Sequence, residues 1–284
     1  MATFYNQASL SYNGTVTNSN VTSGELIEAL EAVKAAISTT YSIGDTVAYA
    51  VSIVNSSTAA ISGITVTDNL GAITDGATTV YPLDYVSGSL KLYVNGILSA
   101  TPTVTSTEPL VISGITVPAG ANAILLYEAT ANTSAPGAVG SVITNTAVIS
   151  GETLTEDITV TATVPVREET ILTIAKAICP DTVTDNGEIT YTFVIQNTGN
   201  QAVLATDNAT ISDLFDPILT ALAVTFNGAT WSEGVQYSYD ETTGAFSTNA
   251  AQITVPAATY TQNPTTGEYT ITPGISTLTV TGTI

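Results

Sequence analysis

The 284-residue chain has no histidine, a single cysteine (Cys179) and only 4 lysines and arginines together. Each scarcity excludes something. Without histidine there is no imidazole acid–base catalysis and no histidine metal site. One cysteine excludes an intrachain disulfide framework and a cysteine-type zinc site. Four cations are too few to cluster on nucleic-acid phosphates or to hold an anionic membrane surface. No apolar run reaches the ~18 residues of a membrane span. The opening MATFYNQASLSYNG lacks the basic and apolar regions of a secretory signal, so none is expected. There is no phosphate-binding glycine loop and no serine–histidine–aspartate set, and no carboxylate pair stands out from scattered acids. A hydrolase is therefore disfavoured, and the chain is not expected to be a turnover enzyme.

What the chain does have is 24 acidic residues, giving a net charge of −20, and 44% apolar residues. Disorder pairs high charge with low hydrophobicity, which is not this balance. The excess of acid most simply keeps particles dispersed. Period-two alternation rich in Val, Ile, Thr and Tyr recurs along the chain, punctuated by Gly, Asn, Asp and Pro. Clear cases are residues 46–55, 63–70, 89–96, 123–131, 142–150 and 157–166, then 170–178, 188–197, 209–215, 222–228, 252–257, 267–274 and 276–284. Only 24–39 has helical propensity; its second half matches a strand of the repeat described next, so 30–38 reads as strand and 24–29 stays open. Short strands at this spacing predict an all-β chain of two tandem immunoglobulin-like antiparallel β-sandwiches.

The chain repeats itself. Lys34 and Lys176, Tyr49 and Tyr191, and Asn55 and Asn197 each lie 142 positions apart, and Asp68 and Asp213 lie 145 apart. The first copy continues past 123–131 into two further strands, 142–150 and 157–166. The second copy ends at 276–284, the counterpart of 123–131, and lacks those two. Their likeness lies at the other terminus: FYNQASLSYNG (4–14) reads like ITNTAVISG (143–151), with Asn6 over Asn145, Ala8 over Ala147 and Leu10 over Ile149. The expected organisation is an extension 1–24, a first domain 25–166 and a second, incomplete domain 167–284. The second copy is 118 residues against 142, short by the 24 of the extension.

A sandwich missing two strands exposes core side chains and an unpaired edge. A strand donated by another chain satisfies both. If 1–24 of one subunit completes 167–284 of the next, the contact is head-to-tail, and such contacts that do not close give filaments. The other reading has the extension fold back within its own chain.

Reading inward faces by period two aligns Leu172, Ile174, Lys176 and Ile178; Ile211 and Asp213; Ile64, Val66 and Asp68; Ile143, Asn145, Ala147 and Ile149; and, in the extension, Phe4, Asn6, Ala8 and Leu10. The Lys34 face, with Leu30, Ala32 and Ala36, is less decisive; two of the three lysines are expected in the cores, each with an aspartate. Lys, Asp and Asn together are what a self-forming isopeptide bond needs. Burial lowers the lysine pKa and frees a nucleophilic amine, and it raises that of the aspartate, which can then polarise the asparagine carbonyl. The cross-link residues would be Lys34 with Asn145, assisted by Asp68, within one chain, and Lys176 with Asn6 of a neighbour, assisted by Asp213. This would be a single-turnover, autocatalytic step. A buried ion pair with an asparagine hydrogen bond is the alternative, giving register rather than chemistry.

Lys34, then Gly44-Asp45 with Tyr49 and Asn55, then Asp68, then Asn145 to Ala147 resembles the bacterial surface repeat known as "domain of unknown function 11". The second copy matches at Lys176, Tyr191, Asn197, Gly199 and Asp213 and departs at Asn186 and in its early end. At subunit level, two such repeats without a signal resemble the appendage proteins of clostridial spores. That resemblance implies a fibre subunit on a spore or cell surface, made in the mother-cell cytoplasm and released by lysis, whose partner is itself, with a host surface or minor fibre components as further partners.

Cys179 reads as a small core or edge residue, with an intersubunit disulfide as the minor alternative. Trp231 with Tyr237 and Tyr239 is a sugar-stacking patch or, more simply, sandwich packing or a fibre contact. No cofactor is expected; Ca2+ at Asp185–Glu188 or Asp207–Asn208 would be the exception, without an ordered ligand spacing to support it. The rival to a fibre subunit is a monomeric adhesin or carbohydrate-binding module with its ligand on loops.

Overall fold

The computed structural model describes residues 2–26, 29–75, 78–152 and 154–284. Among them the chain is all-β, apart from one 3-10 turn at Ala205–Asp207, as the alternation predicts. Two compact units form, one of Met1–Thr39, Asp45–Asn132 and Thr144–Val164, the other of Thr40–Gly44, Thr133–Ile143 and Pro165–Ile284.

The chain opens with β1 (Ala2–Asn6), β2 (Ser9–Tyr12), β3 (Thr15–Asn18) and β4 (Thr22–Leu26). β1 pairs β4 and β2 pairs β3, all antiparallel, so these strands make one long hairpin. Its turn is Asn13-Gly14, both with positive φ (48° and 78°). That is the conformation a two-residue hairpin turn needs, and Asn-Gly adopts it readily. Side chains from 3 to 23 are all exposed. Phe4 lies across Gly24, where a Cβ would come within 2.4 Å of the ring. The region left open at 24–29 is strand as far as Leu26; Ile27 and Glu28 lie outside the described residues.

The first sandwich contains β5 (Leu30–Ala36), β6 (Thr46–Asn55), β7 (Ile61–Asp68), β8 (Ile73–Asp75), β9 (Thr78–Val80), β10 (Leu83–Tyr85), β11 (Lys91–Val94), β12 (Ile97–Leu98), β13 (Thr103–Thr107), β14 (Leu110–Val117), β15 (Asn122–Ala131), β16 (Val142–Ser150) and β17 (Ile158–Pro165). One sheet runs β12-β11-β15-β6-β5, with β10 also on β15; the other runs β13-β14-β7-β16-β17. Alternate residues supply the core: Val47, Tyr49, Val51 and Ile53 from β6, Leu125 and Tyr127 from β15, Ile64 and Val66 from β7, and Ile143, Ala147 and Ile149 from β16. Period-two burial follows from the pleat, which sends successive side chains to opposite faces.

The second sandwich contains β18 (Leu172–Cys179), β19 (Glu188–Asn197), β20 (Ser212–Leu214), β21 (Thr220–Phe226), β22 (Ala229–Trp231), β23 (Tyr237–Asp240), β24 (Ala245–Thr248), β25 (Thr259–Gln262), β26 (Tyr269–Thr272) and β27 (Gly274–Thr283). Its five-stranded sheet, β18-β19-β27-β21-β22, repeats β5-β6-β15-β11-β12 strand for strand. Its other sheet has three strands, β20-β24-β23, matching β7-β14-β13. Among the described residues nothing pairs with the outer edge of β20, where β16 and β17 lie in the first copy.

Two sequence expectations need correction. Residues 252–257 do not form a strand; they contribute one isolated bridge, Val255 to Val203, because Pro256 has no N–H to donate to a ladder. The strand expected at 209–215 shortens to Ser212–Leu214.

Candidate functional site

In the first sandwich Lys34 projects inward from β5, and Asp68 ends β7. The Lys34 ammonium donates to Asp68 Oδ2 at 2.5 Å, with both side chains fully shielded from solvent. The Tyr127 hydroxyl, from β15, donates to that same oxygen. Asp68 Oδ1 accepts the Leu70 backbone N–H at 2.9 Å. Tyr49 stacks on Tyr127 with ring centroids 5.6 Å apart, and the ammonium lies 5.0 Å from the Tyr49 ring. Burial pushes Lys34 from 10.5 down to about 8, against the pull of the Asp68 charge. Burial, with the Asp68 charge second, holds the Tyr127 phenol well above its ordinary value.

Asn145 stands on β16, which pairs with β7 so that Ala147 faces Asp68. Its position two residues from Ala147 puts its side chain on the same inward face. Asn145 is fully buried, and neither its amide nitrogen nor its amide oxygen reaches hydrogen-bonding geometry with any partner among the described residues. Its amide lies near enough to the Tyr127 hydroxyl to favour the ionised phenol a little. Burying a primary amide unpaired costs about 1–3 kcal/mol, so such a residue calls for an explanation.

In the second sandwich the Lys176 ammonium donates to Asp213 Oδ2, and Asp213 Oδ1 accepts from Leu214 N–H. The rings of Tyr191, Phe215 and Phe193 surround the ammonium at 4.4, 5.4 and 5.5 Å. The expectation that Lys176 is buried is overturned: its side chain is 40% exposed, and that of Asp213 19%. All of β18 is exposed. Leu172, Ile174 and Ile178, which share its inward face with Lys176, are 44%, 57% and 45% exposed, whereas Leu30 at the matching place in β5 is 2% exposed. The face is apolar and inward, and among the described residues no strand stands over it where β16 and β17 stand in the first copy.

Asn6, the predicted partner of Lys176, lies on the exposed hairpin, pairing with Thr22. Phe4 and Leu10 of the same face are 58% and 69% exposed, and Ala8 is exposed as well. The structure of one chain therefore brings Lys34, Asp68 and Asn145 together in one core, and Lys176 with Asp213, but does not bring Asn6 to either pair.

The remaining repeat anchors brace loops. The Asn55 amide donates to the carbonyls of Ala59, Val117 and Pro118 at 2.8–3.0 Å, and Asn197 does the same for Gln201 and Pro256. Trp231 stacks on Phe226, Tyr237 is buried and Tyr239 bonds to the Leu219 backbone, so these aromatics pack the sandwich rather than present a sugar platform. Cys179 is exposed at the end of β18. Among the described residues no three acidic, cysteine or histidine side chains converge as a metal site.

Sequence reasoning missed Tyr127. The signal was present: Ala123, Leu125, Tyr127 and Ala129 alternate on one face, and a tyrosine on a core face must find a partner for its hydroxyl. The repeat concealed it. Tyr49 pairs with Tyr127, but its counterpart Tyr191 pairs with Val280.

No protein-family model and no curated protein sequence matches the chain. Solved structures similar to it include the pilus backbone RrgB of Streptococcus pneumoniae (12% identity, TM-score 0.35, 86% of this chain and 55% of that one). Another is BcpA, the major pilin subunit of Bacillus cereus (12%, 0.35, 96% and 73%). A third is the collagen adhesin of S. aureus (12%, 0.30, 52% and 55%). The chain spans about half the length of the RrgB chain it matches. These likenesses accord with the all-β architecture and bear on nothing further.

Proposed function

We propose that this chain is the structural subunit of a fibre on a spore or cell surface, polymerising with copies of itself head to tail. The N-terminal hairpin of one subunit enters the second sandwich of the next, β1 and β2 taking the place of β16 and β4 and β3 that of β17. The observation that carries this reading is the match of surplus to deficit. Among the described residues the second sandwich shows no counterpart of the two hairpin strands that close the first, and the chain carries a hairpin on which Phe4 and Leu10 are exposed. By the register of β7 with β16, Ala8 of the donor would face Asp213 and Asn6 would stand by Lys176.

In this reading each site closes as an amide. One proton passes from the lysine ammonium to the aspartate. The neutral Nζ attacks the asparagine Cγ, and the aspartate protonates its carbonyl oxygen. The Cγ–Nδ2 bond then breaks, that nitrogen leaving as ammonia with a proton relayed from Nζ by the aspartate, and as the C=O re-forms the oxygen returns its proton to the carboxylate, so the proton first taken from the lysine ends on the aspartate or the departing ammonia. The burial of Asn145 in the same core as Lys34 and Asp68, with neither amide atom in hydrogen-bonding geometry among the described residues, supports it. Lys34–Asn145 would lock the first domain, and Lys176–Asn6 would make the fibre covalent.

Electron microscopy of the purified chain tests the assembly. Deleting residues 2–14 should abolish filaments while the first sandwich stays folded. Filaments that persist without those residues would overturn the donor role and favour fold-back or a monomeric adhesin.

A further inference from the structure

We infer that Tyr127 is a positioning residue for the bond between Lys34 and Asn145, and that the site joining subunits works without such a residue. This rests on the proposed isopeptide chemistry and asks how its acid is aimed.

Asp68 has one oxygen tied down and one at work. Oδ1 is held by Leu70 N–H at 2.9 Å, fixing the carboxyl plane. Oδ2 faces Lys34 and is the oxygen that must take the lysine proton and hand it to the Asn145 carbonyl. The Tyr127 hydroxyl fastens to this working oxygen and at the same time borders the Asn145 amide. It therefore spans acid and electrophile. The stack of Tyr127 on Tyr49 fixes the ring, so the hydroxyl is a rigid spacer. Tyr127 gains and loses no proton over the reaction; it sets where Asp68 Oδ2 stands relative to Asn145.

The second copy is a control inside the same molecule. Val280 occupies the place of Tyr127 in the strand register, and a valine has no donor to give. The ammonium is instead walled by Tyr191, Phe193 and Phe215. Asp213 is held by Lys176 and Leu214 N–H, and its alignment with Asn6 is left to the docking of the donor hairpin. A chain whose first site is assembled within one domain can use a fixed spacer; a site completed by an arriving strand would find one in the way.

The test is Y127F in the full chain. It keeps the ring on Tyr49 and removes only the hydroxyl, so the fold is retained. Chains held unfolded in denaturant are diluted into buffers from pH 5 to 10, and ammonia loss at the Lys34–Asn145 and Lys176–Asn6 peptides is followed by mass spectrometry. In Y127F the first bond should form about tenfold to a hundredfold more slowly, the worth of one hydrogen bond to a charged group, while the second keeps its rate. The groups facing Asp68 are Lys34 on β5, Tyr49 on β6, Tyr127 on β15 and Asn145 on β16. In Y127F the rate should still rise with pH through the range near 8 in which Lys34 gives up its proton, so that what is lost is aim and not the nucleophile. A purely structural role would lower the melting temperature of the first sandwich without slowing the step in chains already folded. An unchanged rate in Y127F, with both bonds forming in the parent, overturns the role of Tyr127 alone. Absence of ammonia loss at both sites of the parent overturns the isopeptide reading itself and this inference with it.

Discussion

Asn145→Ala separates a cross-linked core from a merely buried polar one by the sign of its effect. Asn145 is fully buried, and among the described residues neither amide atom reaches hydrogen-bonding geometry. If it stays a free amide, deleting it relieves an unpaired burial worth about 1–3 kcal/mol and opens a small cavity costing about 1 kcal/mol. The change would then be neutral or slightly stabilising. If Asn145 is joined to Lys34, the bond closes a loop of about 110 residues, and in the chain-entropy picture such a link contributes about 5 kcal/mol. For a domain of this size that lowers the first-domain melting temperature by about 15 °C. The Lys34–Asp68 pair survives the substitution, so no charge is stranded. Intact mass and scanning calorimetry on the full chain read both consequences. The parent should be lighter than its sequence by one ammonia at this site, and the variant should not be. A parent at full sequence mass here, with a variant that melts no lower, refutes the bond.

The remaining predictions concern protons and the second site. In Asn145→Ala, Lys34 stays titratable with a folded value of about 8 against 10.5 unfolded. Between these values the unfolded chain binds more protons, so stability rises with pH across that window, by an amount on the order of 3 kcal/mol. Above about pH 10 Tyr127, held well above its ordinary value, reverses the trend, because the unfolded chain then binds fewer protons. Chemical denaturation at successive pH values measures this, and a curve flat from pH 8 to 10 would refute the buried free amine. Asp213→Asn should leave filaments visible by microscopy but remove the ladder that resists heat and detergent. Its cost to folding should be small because Lys176 keeps solvent. A persisting ladder would remove Asp213 from the chemistry.

Much of the site was legible because the sequence carries it twice. The spacing of Lys34 and Lys176, and of Asp68 and Asp213, marked positions that alternation alone would have passed over. Asn145 and Asn6 followed from matching the first copy's end to the chain's beginning, and the hairpin turn at Asn13-Gly14 was written in a two-residue signal. Alternation names a face but not what lies against it. So Lys176, on an inward face, was expected in a core and stands 40% exposed. Tyr127 escaped because it occurs in one copy only. Residues 252–257 alternate like a strand, yet Pro256 prevents a ladder and the Asn197 amide takes its carbonyl instead. Short strands such as β13, rich in Thr and Ser and half exposed, have too little apolar contrast to show a period.

The energetics of docking explain why a fibre built this way would need a covalent step. Closing the groove covers Leu172, Ile174 and Ile178, each roughly half exposed, together with Phe4 and Leu10; at ordinary transfer values this is on the order of 6 kcal/mol. The new edge pairing along β20, if it copies the four residue pairs of β7 with β16, adds about 4 kcal/mol net. Association itself costs from about 4 to 15 kcal/mol, so the docked hairpin is held only modestly and would come and go. The same weakness is useful, because a hairpin seated out of register can leave before anything is fixed. In the proposed fibre, Asn6 would reach Lys176 only in the correct register, and only then would the donor strand shut water away from an amine that is 40% exposed in the single chain. Reversible docking would thus select the register, and amide formation would make that choice permanent.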